Sequence, residues 1–196
     1  MTSRNPVLLI HGINDTGALF KRMAAYLQGN GWQVHRLSLT PNNGDAGLDE
    51  LAEQIASYVQ ANFVDDQALD LVGFSMGGLV SRYYLQRLGG IERVRRLITI
   101  SAPHHGTWTA FLLGNPGARQ MRPGSPFLRD LNRDAMMLDR LQVTSIWTPL
   151  DLTIVPAKSS VLQTGRTIRV HVAAHPWMVR DRRVLRLVLQ ALTDGQ

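Results

Sequence analysis

The pentapeptide Gly73-Phe74-Ser75-Met76-Gly77 holds a serine between two glycines at the spacing G-x-S-x-G. Before it runs the strand-length apolar segment Leu69-Asp70-Leu71-Val72-Gly73-Phe74, and after it a small-residue, helix-patterned stretch from Met76 to Leu88. A serine at so sharp a strand-to-helix turn sits in strained backbone, and glycines two residues to either side remove side chains that would strike the neighbouring elements. The unpaired N–H groups and positive dipole end of the following helix face the same place, where they would stabilise negative charge on a substrate oxygen. The chemistry that suits this arrangement is acyl transfer through a covalent intermediate. The alternative is a Gly-Ser turn that only caps a helix, a frequent use of serine.

A serine hydroxyl is a poor nucleophile at neutral pH, so a histidine must take its proton and a carboxylate must hold that histidine in the right tautomer. Asp151 stands just past an expected strand from Val143 to Thr148, at the carboxyl end of the sheet, and is the expected acid. Its other reading is a turn aspartate bonded to its own backbone. His175, in Ala173-Ala174-His175-Pro176, falls two residues beyond an expected last strand from Ile168 to Ala173 and is the expected base. The competitor His171 lies within that strand, on the face opposite to the one that Ile168, Val170 and Val172 share.

His11-Gly12-Ile13 closes the first expected strand, and Gly12 lets the chain turn so that the Ile13 N–H points at Ser75. With the Met76 N–H it forms an expected two-donor oxyanion hole, while His11 reads as a structural histidine bonded to a neighbouring loop. His104, with Trp108, Phe111 and Leu112, is a candidate for the substrate pocket; His104 has loop bracing as its other role, and the apolar residues have plain core as theirs. Adjacent His104 and His105 point in different directions, and no spaced ligand set accompanies them, so no metal is expected.

These residues need a scaffold that delivers them to one edge. Apolar runs of strand length alternate with longer helical-period stretches, which predicts an α/β fold with a mainly parallel, six-stranded sheet and helices on both faces. Strands are expected near Pro6 to His11, Gln33 to Leu39, Leu69 to Phe74, Arg96 to Ser101, Val143 to Thr148 and Ile168 to Ala173. Helices are expected near Thr16 to Gln28, Leu48 to Asn62, Met76 to Leu88 and Met178 to Leu192. Residues 106–140, interrupted by Gly114, Pro116, Gly117, Pro123, Gly124 and Pro126, read as an irregular, lid-like pocket segment of the same single domain, 1–196.

The chain of 196 residues is 44% hydrophobic and contains no cysteine, which excludes thiolate catalysis, disulfides and cysteine-ligated metals. Its net charge of +6 comes mainly from scattered arginines that share segments with regular apolar positions, so solvated faces are expected rather than a nucleic-acid groove. The same excess is compatible with peripheral contact with a lipid surface. Neither a signal peptide nor a membrane-spanning stretch is visible, and a cytoplasmic location is the default expectation.

Taken with the loop Ser101-Ala102-Pro103-His104-His105-Gly106-Thr107 and the segment Asp151-Leu152-Thr153-Ile154-Val155-Pro156, these motifs resemble the compact bacterial lipases and esterases of the α/β-hydrolase superfamily, triacylglycerol lipase-like and including small lidless forms. Ala102 departs from the glycine that such lipases often carry there. The resemblance covers nearly the whole chain. It implies Ser75 as nucleophile, Asp151 as acid, His175 as base, the Ile13 and Met76 amides as oxyanion donors, and no metal or organic cofactor. A small-molecule or lipid ester is the implied substrate, hydrolysed through an acyl-enzyme. Thioesterases and acyltransferases run on the same triad, and a catalytically silent binding domain of the same fold is the alternative from outside enzymology.

Overall fold

A computed structural model describes residues 4–194. Its centre is a six-stranded, wholly parallel sheet of strand order β2-β1-β3-β4-β5-β6, formed by β1 (Val7–Ile10), β2 (Val34–Leu37), β3 (Leu69–Phe74), β4 (Val94–Ile100), β5 (Gln142–Trp147) and β6 (Arg166–Arg169). The helices are α1 (Lys21–Gly29), α2 (Leu48–Asn62), α3 (Met76–Arg87), α4 (Pro116–Gln120), α5 (Pro126–Arg133) and α6 (Arg182–Thr193).

Side-chain alternation along the central strands supplies two cores, one on each face. Leu8, Ile10, Leu69, Leu71 and Leu97 meet α2 and α3. Val7, Leu9, Val72, Phe74, Ile98 and Ile100 meet α1 and α6. Because both faces are covered, the central strands are buried almost throughout, and they read in sequence as near-continuous apolar runs.

The first helix starts at Lys21 rather than Thr16, after a 3-10 turn at Gly17–Phe20, and two boundaries late in the chain also move. The last strand covers Arg166–Arg169 rather than Ile168 to Ala173. It is an edge strand with β5 as its one neighbour, and its ladder ends where β5 ends; beyond it the Thr148 hydroxyl takes over, donating to Val172 O at 2.8 Å and accepting from Val172 N at 3.3 Å. The last helix begins at Arg182 rather than Met178. A 3-10 turn at His175–Trp177 comes first, and the Asp181 side chain then caps a fresh start by accepting from Arg183 N. Met178 and Val179 stay fully buried, which is why their apolar pattern read as helix.

The segment 106–140 contains α4, α5 and 3-10 turns at Trp108–Leu112 and Ala135–Arg140. Its later part is clamped to α3. Arg82, fully buried, donates to Leu131 O at 2.8 Å and to Asn132 Oδ1 at 3.0 Å, and Arg87 pairs with Asp130 and Asp134.

Candidate active site

Four chain segments meet at the carboxyl ends of the strands, where a doubly wound sheet places its ligands. The first is the turn from β3 into α3. Ser75 has φ 54° and ψ −126°, a left-handed position that a side-chain-bearing residue adopts only under constraint. Its N–H donates to Ile100 O at 2.9 Å, tying the turn to the end of β4. The close packing behind it explains Gly77: any Cβ there would run into the carbonyl oxygens of Ile10 and His11.

The second segment follows β1. A Cβ on Gly12 would lie 3.0 Å from Ser75 Cβ and 3.4 Å from Ser75 Oγ, so this loop passes directly against the serine. Among the described residues, neither the Ile13 N–H nor the Met76 N–H finds a hydrogen-bond acceptor. His11 is buried beneath the loop, and Leu39 N–H donates to its Nε2 at 2.8 Å. That bond requires the neutral tautomer with the proton on Nδ1, which donates to Gly12 O at 2.7 Å. Burial holds His11 below its ordinary pKa and so keeps the ring in this form.

The third and fourth segments follow β5 and β6. His175 Nδ1–H donates to Asp151 Oδ2 at 2.7 Å, with both side chains nearly buried. The other carboxylate oxygen, Oδ1, accepts from Thr153 N at 2.9 Å and Ile154 N at 2.8 Å. Burial pushes the Asp151 carboxyl up, but the His175 hydrogen bond and charge and the two amides together outweigh it, leaving Asp151 below its ordinary value. With the imidazole proton committed to Asp151, Nε2 keeps its lone pair. The ring packs over Phe74, the residue preceding Ser75, with centroids 4.7 Å apart.

The structure therefore brings Ser75, Asp151, His175 and the Ile13 and Met76 amides to one end of the sheet. It treats the expected pocket residues differently. His104 is fully buried and bonded through Nε2 to Thr99 Oγ1 at 3.0 Å, which makes it an internal brace of the loop rather than a pocket wall. Trp108, Phe111 and Leu112 lie exposed on the outer surface. His171 is exposed on the edge, away from the pairing that His175 makes.

Thr148 and Phe74 were not singled out from sequence. The Thr148 hydroxyl also accepts from Leu150 N at 3.3 Å, so one buried side chain joins the Asp151 loop to the His175 loop. A lone threonine at a strand end carries no signal of this; its place directly before the turn residue Pro149 is the one hint available.

A crystal structure of a Bacillus licheniformis lipase in its mature form superposes on this chain with a TM-score of 0.81 at 16% identity, covering 98% of this chain and 94% of that one. This likeness establishes the α/β-hydrolase fold. A triacylglycerol lipase of Pseudarthrobacter phenanthrenivorans is 32% identical over 114 residues, or 54% of this chain and 35% of the relative. Palmitoyl-protein thioesterase 3 of Dictyostelium discoideum is 21% identical over 152 residues, covering 75% of this chain and 50% of the relative. The chain thus spans about a third to a half of the length of these curated relatives. The model of the palmitoyl protein thioesterase family matches residues 6–148. Since that match runs through five of the six strands, the Gly12 loop and the Ser75 turn, the chain belongs to the palmitoyl protein thioesterase family.

Proposed function

We propose that this chain hydrolyses carboxylic esters or thioesters through an acyl-enzyme formed on Ser75. The observation that carries the reading is the 2.7 Å bond from His175 Nδ1 to Asp151 Oδ2, made at the sheet edge where Ser75 sits in its strained turn. In this mechanism His175 Nε2 takes the Ser75 proton as Oγ attacks the substrate carbonyl. Negative charge moves to the carbonyl oxygen, which the Ile13 and Met76 amides receive. Collapse of the tetrahedral intermediate breaks the carbonyl bond to the alcohol or thiol, which leaves with the proton from His175. Water then attacks the acyl-enzyme by the same route, releasing the free acid and Ser75. Asp151 keeps the imidazole in the required tautomer and stabilises its charge without itself becoming protonated.

The direct test is a fluorophosphonate probe followed by peptide mass spectrometry. A single adduct on Ser75, absent from Ser75→Ala and suppressed in His175→Ala, is the expected result; folded protein that stays unlabelled would make this a silent hydrolase-fold binding domain. The family match and the thioesterase relative give a specific reason to test thioesters alongside oxygen esters. Parallel assays on p-nitrophenyl acyl esters and acyl-coenzyme A thioesters of matched chain length separate the two leaving groups. Adding an acceptor alcohol and looking for a new ester separates hydrolysis from acyl transfer.

A further inference from the structure

Most of the large apolar side chains left exposed among the described residues gather on two loops beside the proposed site. Trp108, Phe111, Leu112 (84% exposed) and Leu113 follow β4, while Leu152 (85% exposed) and Val155 belong to the loop that carries Asp151. The loops are bonded into one surface. Trp108 N donates to Val155 O at 2.9 Å, Val155 N donates to Thr107 Oγ1 at 2.9 Å, and the Thr109 hydroxyl donates to Thr153 O at 2.7 Å. Their inner edges are therefore occupied by hydrogen bonding, and the apolar side chains are held outward.

Basic groups border this rim. The Arg122 guanidinium lies 4.8 Å over the Phe111 ring, and exposed Lys158 follows Val155 by three positions. On the His175 side, exposed Trp177 shares a cleft with Arg22 and Arg180. The acidic group lining that cleft, Asp181, is held by Arg183 at 2.8 Å, and half-buried Asp15 lies within electrostatic reach of Arg180. The rim has the same sign as the chain, whose net charge is +6.

A contiguous exposed apolar patch marks a contact surface. An isologous dimer through this face would set basic groups against basic groups, which disfavours a second copy as its occupant. An anionic lipid surface meets both features: phosphates pair with the arginines and lysine, the Leu side chains enter the acyl layer, and Trp rings settle at headgroup depth. We infer that this rim docks the protein on a bilayer bearing anionic phospholipid headgroups, with Leu112 and Leu152 inserted and Arg22, Arg180 and Lys158 at the phosphates. In its consequence this rests on the proposed hydrolase reading, since it sets the Ser75 centre at a lipid surface; docking itself needs no turnover.

The test uses the full chain carrying Ser75→Ala, so that no lipid is consumed, sedimented with vesicles of phosphatidylcholine alone or mixed equally with phosphatidylglycerol. Binding is expected on the anionic vesicles at about 0.1 M salt and about tenfold weaker at about 1 M, where the Debye length falls from about 10 Å to about 3 Å. Adding Leu112→Ser with Leu152→Ser should lower partition about tenfold at either salt. Adding Arg22→Gln with Arg180→Gln should weaken anionic binding and flatten its salt dependence. The lipid and salt series on the otherwise unchanged chain needs no rim variant, so it decides even where a rim variant fails to fold. Folded protein that stays in the supernatant with anionic vesicles overturns the inference. So does a dimer in sedimentation equilibrium that the Leu pair dissolves while vesicles bind nothing. Fluorophosphonate labelling of unmodified protein reports on the hydrolase reading separately, whichever way the vesicle result falls.

Discussion

Each side chain in the candidate site answers to a particular constraint. Asp151 has both oxygens occupied, one by His175 and one by two backbone amides, so it can neither rotate nor accept a proton cheaply. Asp151→Asn would keep the shape but offer an amide where the imidazole needs an acceptor, favouring the wrong tautomer. Its kcat should fall by about 10⁴ with an unchanged unfolding midpoint, as measured by ester turnover and thermal denaturation. Gly12 is constrained by contact with the nucleophile, where an added methyl would press on Ser75 Cβ from 3.0 Å. Gly12→Ala should lower kcat/KM about a hundredfold by moving Ser75 or the Ile13 amide out of register, and it should still fold.

At the scale of elements, the turn from β3 to α3 is the part on which the site's geometry depends. Gly77 lets the first turn of α3 press against the carbonyls that end β1, so the helix N-terminus and the β1 loop share one small volume around Ser75. Gly77→Ala should cost about 3 kcal/mol in denaturant unfolding, because the obstruction is backbone and cannot swing aside. The clamp between α3 and α5 is polar. Burial lowers the Arg82 guanidinium to about 10, yet it remains charged at neutral pH and satisfies Leu131 O and Asn132. Arg82→Leu would take the buried donor from Asn132 Oδ1 and Gln86 Oε1 and leave Leu131 O with Gln86 Nε2 alone, a loss of about 2 kcal/mol by the same measurement.

Across the whole molecule, two cores sandwich the sheet, and several ionisable groups are enclosed with them. His104 is held well below its ordinary pKa by burial first and by the nearby Arg82 and His105 charges. Unfolding therefore releases a histidine that takes up a proton below pH 6.5 while the folded form does not, so this contribution is present above 6.5 and is lost as pH falls. Against His104→Gln, the stability margin of the parent should shrink by about 1.4 kcal/mol per pH unit below that point, read from urea midpoints. Asp70 acts in the opposite sense between 3.8 and about 6, where burial outweighs the pull of Arg96 and the folded state holds the extra proton. The difference between parent and variant is accordingly the quantity to follow.

Among the described residues no helix is long and apolar enough to cross a membrane. The family match stops at residue 148, ahead of both Asp151 and His175. Asp151 and His175, the proposed acid and base, and their order after Ser75 were nevertheless open to sequence reasoning, because each follows an apolar run that leads to the sheet's carboxyl edge. The bounds of α2 and β3 were legible too, since apolar periodicity is a local property written along the chain. The bounds of β6 and the start of α6 were not: Val170, Val172, Met178 and Val179 are buried by irregular chain, and burial alone does not distinguish that from strand or helix.

Spacing and residue type are sufficient to give the α/β layering, the strained serine turn and the candidate partners of Ser75. That His104 is an internal brace, that Trp108, Phe111 and Leu112 face outward, and that Thr148 joins the two loops bearing Asp151 and His175 became visible with the folded chain alone. Those outcomes depend on which distant segment arrives opposite a given side chain. Chain-local pattern holds no record of that.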